Sequence, residues 1–173
     1  MPVISEGNLK FSFPHDWNVA KYDEWSFYRN QFQKVRTGVK AIDILALGSD
    51  RCTWFIEVKD YRVHPRTKVV DLAEEVAEKI CDTLAALLPA SVNANDTNEK
   101  RFARKTLASQ SLRVVLHLEQ PRKHSKLFPR AIDPATHISH FLKHSFAIFS
   151  VPCQWYPDRM LALLDPIFVK TAG

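Results

Sequence analysis

Two charged residues interrupt an apolar stretch, CTWFIEVKDYR, that runs from Cys52 to Arg62. Side chains alternate across a β-strand, so Glu57 and Lys59 would share one face with Phe55 and Tyr61. Burying such charges is costly unless they are paired or bind something. The pattern therefore indicates either an ion pair on an exposed strand face or one half of a binding site.

A second carboxylate stands in the preceding apolar run, AIDILAL, which contains Asp43. The turn-like cluster GSDR separates the two runs, which predicts a β-hairpin with Asp43 beside Glu57 and Lys59. Neighbouring carboxylates repel each other, and a divalent cation such as Mg²⁺ or Mn²⁺ removes that repulsion. A lysine beside the cation can orient or deprotonate a water, or neutralise charge on a transition state. These are the components of phosphodiester hydrolysis.

Asp43, followed after thirteen residues by Glu57-Val58-Lys59, resembles the PD-(D/E)xK nuclease signature. The two apolar runs are most similar to the Mrr-type and archaeal Holliday-junction-resolvase-like branches. Glu57-Val58-Lys59 is the only acid-x-Lys triplet in the chain. Ile42 stands where the family name has proline, and no glutamine-x-x-x-tyrosine follows in the next helix, so the RecB-type branch is not indicated.

The resemblance implies an α/β protein with a restriction-endonuclease-like core. In that core a central mixed β-sheet is flanked by helices, in the order αβββαβ, across roughly residues 18–118. It also implies that Asp43, Glu57 and the main-chain carbonyl of Val58 bind Mg²⁺ or Mn²⁺, while Lys59 positions the attacking water. Many relatives cut two strands with two sites, so a homodimer is expected.

Resolvase-like members carry one more acid on their first helix. Glu24 is the best match for it, and its neighbour Asp23 is expected to point elsewhere. The resemblance thus implies a catalytic set of Asp43, Glu57, Lys59 and Glu24.

Hydrophobic periodicity and turn residues predict the elements around this motif. One sheet with helices on its faces fits their order better than a bundle or a sandwich. The predicted elements are a helix over 18–32, a strand near FQKVRTG, a helix over 68–88 that Pro89 ends, a polar loop at ASVNANDTNE, a basic helix over 100–109, a strand at LRVVLHLEQ, a helix from Asp133, and strands near AIFSV and MLALLDPIFV.

Positive charge is concentrated in the second part of the chain, and the net charge is +5. Residues 1–99 carry 12 Lys and Arg against 15 Asp and Glu, whereas residues 100–173 carry 12 against 4. Such asymmetry is typical of a surface that contacts nucleic acid, although a basic protein without this partner fits the charge alone equally well. The candidate DNA-binding residues are Arg62, Arg66, Lys68, Arg101, Arg104 and Lys105.

His137, His140 and His144 would share one helical face, with Cys153 downstream. A zinc site could be drawn from them, but without a cysteine pair or an H-E-x-x-H motif a polar helix face is the favoured interpretation. The chain has no G-x-S-x-G motif and no glycine-rich phosphate loop.

Three dispersed cysteines, no signal-peptide pattern and no long apolar run predict one soluble cytoplasmic domain over residues 1–173, without a membrane partner. The sequence therefore predicts a Mg²⁺-dependent DNA endonuclease that acts in repair, mobile-element processing or defence. The alternative is a non-catalytic module on the same scaffold that binds nucleic acid or protein.

Overall fold

The computed structural model describes residues 1–64, 66–120, 153–156 and 168–171, the last two ranges as backbone only. These residues form two β-sheets and three α-helices, and no helix among them is long and apolar enough to cross a membrane. The elements are β1 (Val3–Glu6), β2 (Leu9–Ser12), β3 (Asn18–Lys21), a 3-10 turn (Tyr22–Glu24), α1 (Ser26–Asn30), a 3-10 turn (Phe32–Lys34), β4 (Ile44–Leu47), β5 (Cys52–Asp60), α2 (Leu72–Asn93), α3 (Thr97–Leu107), β6 (Ser111–Glu119), β7 (Cys153–Tyr156) and β8 (Phe168–Thr171).

The larger sheet is mixed, and its strand order is β3-β4-β5-β6-β7. The pairs β3–β4 and β4–β5 are antiparallel, whereas the pairs β5–β6 and β6–β7 are parallel. The predicted β4–β5 hairpin is confirmed, with Ile44 opposite Ile56, and so is the strand at LRVVLHLEQ. Because β6 is parallel to β5, the connection between them must cross the sheet, and α2 and α3 supply it.

One face of the larger sheet packs against the helices. Its core joins side chains of β4, β5 and β6 to those of α2, with Phe55 and Ile80 both at 2% exposure or less. Glu57 and Lys59 follow Phe55 at two-residue steps, so the strand alternation directs them toward this helical layer. Helix α2 therefore lies over the charged positions of β5.

The other face of the larger sheet packs against a small sheet of order β1-β2-β8. Leu9 and Phe11 of β2 join Trp54 and Ile56 of β5 in a second buried cluster. The expectation of helices on the sheet faces therefore holds for one face of the described chain. On the opposite face, the alternating apolar residues of the β1–β2 hairpin provide the cover instead.

The helix predicted over 18–32 is wrong. Asn18–Lys21 forms β3, which pairs with β4 through Val19 opposite Ala46, and only Ser26–Asn30 forms an α-helix. The strand predicted near FQKVRTG is also wrong, because Phe32–Lys34 is a 3-10 turn. A paired sheet edge here outweighs the local helical spacing.

The order αβββαβ is consequently not reproduced in the described chain. Between residues 18 and 119 the elements run strand, short helix, strand, strand, helix, helix, strand. If the short helix α1 and the second helix α3 are set aside, β3, β4, β5, α2 and β6 follow the strand–strand–strand–helix–strand part of that order. The leading helix is replaced by the β1–β2 hairpin.

The limits predicted for α2 are wrong at both ends. Asp71 caps it by accepting a hydrogen bond from the backbone N–H of Ala73, and Val69, inside the predicted range, precedes it and is fully exposed. Pro89 lies inside the helix, which continues to Asn93. The predicted ASVNANDTNE loop is accordingly shared between the end of α2 and the start of α3, which begins at Thr97 rather than Lys100.

Several predicted elements lie outside the described residues. They are the helix from Asp133 with its histidines, the strand near AIFSV, and most of MLALLDPIFV, of which only the end coincides with β8.

Candidate functional site

The β4–β5 register brings Asp43 and Glu57 together. Ile44 is paired with Ile56, so the next step of the same ladder places Asp43 opposite Glu57 on the face toward α2. The carboxylate of Asp43 is oriented by the backbone N–H of Val58, which donates to its Oδ2 at 2.7 Å. In a strand, the N–H and C=O of one residue point to the same neighbour, so the Val58 carbonyl also lies on the Asp43 side.

The side chain of Lys79 lies between the two carboxylates. Its Nζ is 3.3 Å from Asp43 Oδ1 and 2.6 Å from Glu57 Oε1. These two contacts place the carboxylate oxygens no more than about 6 Å apart, so both carboxylates face the same ammonium. Asp43, Glu57 and Lys79 therefore form one cluster beneath α2.

Glu57 is the most deeply placed group of this cluster, at 1% exposure. Its Oε1 accepts from Lys79, whereas its Oε2 is buried without a hydrogen-bond partner. Burial raises the pKa of Glu57 to about 7, and the charge of Asp43 adds to the shift while Lys79 and Lys59 oppose it. An unpartnered buried carboxylate oxygen is costly, so Oε2 is left free to take up a proton or to bind a cation.

Lys59 connects Glu57 to Glu75 on α2. Its Nζ is 2.7 Å from Glu57 Oε1 and 3.0 Å from Glu75 Oε1. Burial lowers the pKa of Lys59, but the two carboxylates outweigh burial and the net shift is upward. Lys59 is therefore held as an ammonium, which suits orienting a water or neutralising charge rather than removing a proton.

Glu75 is almost fully buried and receives three cations. Besides Lys59, Lys68 Nζ lies 2.8 Å from its Oε1 and Arg66 Nη2 lies 3.2 Å from its Oε2. Burial would raise the pKa of Glu75, but hydrogen bonds from Lys68 and Lys59 outweigh it and lower the pKa to about 2. Glu75 therefore fixes Lys59 from the side opposite Glu57.

Glu24 is not brought to this cluster. Its side chain is 52% exposed and pairs with Lys21 at 3.0 Å. Its neighbour Asp23, expected to point elsewhere, is instead the residue that interacts electrostatically with Asp43. Burial raises the pKa of Asp23, and the charge of Asp43 contributes to the rise, while its Oδ1 is buried without a partner. The 3-10 turn Tyr22–Glu24, bound by the Tyr22 N–H to the Asp43 carbonyl, turns Asp23 inward and Glu24 outward.

The candidate DNA-binding residues separate into two groups. Arg66 and Lys68 adjoin the cluster through Glu75, and Arg62 pairs with Asp60 at the end of β5. The other three residues lie on α3, which packs against α2. There Arg101 binds the Asn98 side chain, Arg104 binds the Ser91 carbonyl, and Lys105 is exposed.

The donor set fits a hard divalent cation. Asp43, Glu57 and the Val58 carbonyl supply oxygen atoms only, and Mg²⁺ is commonly held by one or two carboxylates with the remaining positions left to water or phosphate. In the described part of the chain no group of three or more His, Cys, Asp and Glu side chains is placed to hold a metal.

Sequence reasoning missed the two contributions of α2. Neither Glu75 nor Lys79 is among the predicted site residues, although they stand four residues apart and adjoin the apolar positions Val76 and Ile80. Asp82, on the same helix, is also buried, at 8% exposure. The i, i+4 spacing of Glu75 and Lys79 at the border of the apolar face was the available signal.

Comparison with known proteins gives one partial relative. No protein-family model matches the chain, and no solved structure matches it. The chain is similar to a cysteine--tRNA ligase of Neisseria meningitidis serogroup A / serotype 4A (strain DSM 15465 / Z2491), with 34% identity over 178 residues. The match covers 86% of this chain and 25% of that protein, so the chain spans about a quarter of the length of the relative.

Proposed function

We propose that this protein is a nuclease that depends on a divalent metal and hydrolyses DNA phosphodiester bonds, with a site of PD-(D/E)xK type. The observation that carries the proposal is the convergence of Asp43 and Glu57 on one cationic position, with Lys59 bound to the same Glu57 oxygen. An isolated surface ion pair contributes only about 0–1 kcal/mol and would not explain this buried, four-residue arrangement.

The proposed roles follow from the contacts. Asp43, Glu57 and the Val58 carbonyl would hold Mg²⁺ or Mn²⁺, which when bound polarises a phosphate and stabilises its developing charge. Val58 N–H fixes the direction of Asp43, and Glu75 fixes Lys59. The Lys59 ammonium would then orient the attacking water or neutralise charge on the phosphate. Arg66 and Lys68, which bind Glu75, would be candidates for contact with the phosphate backbone.

One part of the fold, from β3 to β6, supports the proposal. The unit β3–β4–β5, the following helix α2 and the parallel strand β6 agree with a restriction-endonuclease-like core, and the E-x-K residues lie on its third strand. The proposal extends to DNA as the partner and to a homodimer, both of which come from the family resemblance.

Cleavage assays with matched variants test the proposal. Plasmid and branched DNA are incubated with Mg²⁺, with Mn²⁺ or with EDTA, and tRNA is included because the name of the Neisseria relative contains it. We expect cleavage of DNA that requires metal, reduced about 100-fold or more by Asp43→Asn and by Lys59→Met. Lys40→Met is the control. It removes a partly exposed ion pair between Lys40 and Glu78, and Glu78 lies on α2, the helix that also carries Glu75 and Lys79.

The remaining outcomes separate the alternatives. DNA binding without cleavage of any substrate would favour the non-catalytic module. Cleavage that persists in Asp43→Asn would place the activity outside this site, and cleavage confined to tRNA would replace DNA as the substrate.

A further inference from the structure

We infer that Lys79 is an internal counter-ion of the Asp43–Glu57 pair and competes with the divalent cation for it. The inference rests on the proposed metal site and adds a function for a residue that lies outside the PD-(D/E)xK motif. Its basis is positional, because the Lys79 ammonium occupies the point on which both carboxylates converge.

The contacts of Lys79 set it apart from an ordinary helix lysine. Its side chain is 16% exposed, and its Nζ touches one oxygen of each carboxylate. The next turn of α2 is anchored to the same region, because the Thr83 hydroxyl donates to the Lys79 carbonyl and accepts from the Ile42 N–H. The helix is thus held at the residue preceding Asp43, and the ammonium is directed into the carboxylate pair.

The charges explain why the ammonium would compete. When both are ionised, Asp43 and Glu57 carry two negative charges, and Lys59 and Lys79 carry two positive charges against them. The negative charge of Glu75 is balanced by Lys68 and Arg66, so it does not add to the charge of the Asp43–Glu57 pair. With Lys79 in place the pair is neutralised, and a divalent cation must displace an ammonium to reach both oxygens. Carboxylate sites gain affinity for divalent cations with each unbalanced negative charge.

The arrangement also explains how two carboxylates stay close without a metal. Like charges at this separation repel, and Glu57 in addition loses hydration through burial. The Lys79 ammonium offsets both costs, so the site remains assembled for the cation. Lys79 is therefore a positioning residue that sets the metal concentration at which the site fills.

Titration of Mn²⁺ into the full chain, without DNA, tests the inference. Protein dialysed against EDTA is compared as wild type, Lys79→Met and Lys40→Met, with calorimetry as the readout. We expect Lys79→Met to bind Mn²⁺ about tenfold more tightly than wild type, and Lys40→Met to bind as wild type does. Lys79→Gln, which keeps a hydrogen-bond donor without the charge, serves as the second variant if the methionine variant folds poorly by circular dichroism.

Thermal unfolding of the same proteins gives a second readout. Without Mn²⁺, Lys79→Met should melt below wild type, and saturating Mn²⁺ should raise its Tm by more than it raises that of wild type. Mn²⁺ affinity equal to or weaker than wild type in both Lys79 variants overturns the role of Lys79 and leaves the metal site standing. Absence of Mn²⁺ binding in every protein overturns the metal site and the inference together.

Discussion

Glu75 shows at the scale of one residue how the charged cluster is held in place. Its carboxylate is 2% exposed and is contacted by Lys59, Lys68 and Arg66. A buried ion pair is strongly destabilising when one partner is removed, because the other charge stays buried. The three cations around Glu75 therefore depend on its ionisation, and so does the position of Lys59.

The lowered pKa of Glu75 makes its contribution to stability depend on pH. A carboxylate with a folded-state pKa of about 2, against 4.5 in its ordinary state, stabilises the protein above pH 4.5 and loses that effect as pH falls toward 2. We expect Glu75→Gln to lower the free energy of unfolding by about 3 kcal/mol at pH 6. The difference from wild type should shrink steadily between pH 4.5 and pH 2.

Urea unfolding across this pH range measures the effect. Glu78→Gln is the matched control, since Glu78 stands on the same helix, is 40% exposed and pairs with Lys40. Its loss should cost about 0–1 kcal/mol at every pH. A difference between wild type and Glu75→Gln that stays constant from pH 6 to pH 3 would contradict the prediction.

At the scale of the element, the first turn of α2 positions Glu75, which contacts Lys59 of the site. Asp71 Oδ1 accepts from the Ala73 N–H at 2.8 Å, and Glu75 stands one turn later. Helix α3 begins in a similar way, with Asp96 Oδ1 accepting from the N–H groups of Asn98 and Glu99. The two caps are chemically alike, but only the cap of α2 adjoins residues of the site.

Replacing each cap separates stability from function. Asp71→Ala and Asp96→Ala should each lower the free energy of unfolding by about 1 kcal/mol, the usual value of a lost aspartate cap. Only Asp71→Ala should also slow the proposed DNA cleavage, because fraying of the first turn of α2 loosens Glu75 and hence Lys59. Chemical denaturation and the cleavage assay together check this, and equal loss of activity in both variants would argue against the coupling.

The same elements show what could be predicted from sequence. The β4–β5 hairpin followed from two apolar runs and a turn, and the pairing of Asp43 with Glu57 followed from the hairpin, because these features are local. The roles of Glu75 and Lys79 could not be predicted, since their partners lie on strands that only the tertiary fold places under α2. The helix prediction for 18–32 was wrong for the same reason, because the pairing of Val19 with β4 is a non-local interaction.

At the scale of the whole molecule, the site depends on packing on both faces of β5. Glu57 and Lys59 face the helices, while Ile56 and Val58, which alternate with them, pack into the cluster that contains Leu9 and the rest of the β1–β2 hairpin. The position of Glu57 and Lys59 therefore depends on the small sheet, which packs on the opposite face of β5, as well as on α2. The small β1-β2-β8 sheet is therefore part of the core of the domain.

A pair of substitutions in the hairpin tests that integration. Leu9 is fully buried, so Leu9→Ala should lower the free energy of unfolding by about 2–5 kcal/mol, whereas Val3→Ala, at a side chain 54% exposed in the same hairpin, should change it by less than about 0.5 kcal/mol. Urea unfolding followed by tryptophan fluorescence and by circular dichroism should give one shared transition that Leu9→Ala moves to lower urea. If the hairpin were an appendage, Leu9→Ala would leave the main transition in place, and the back of β5 would not be needed to hold Glu57.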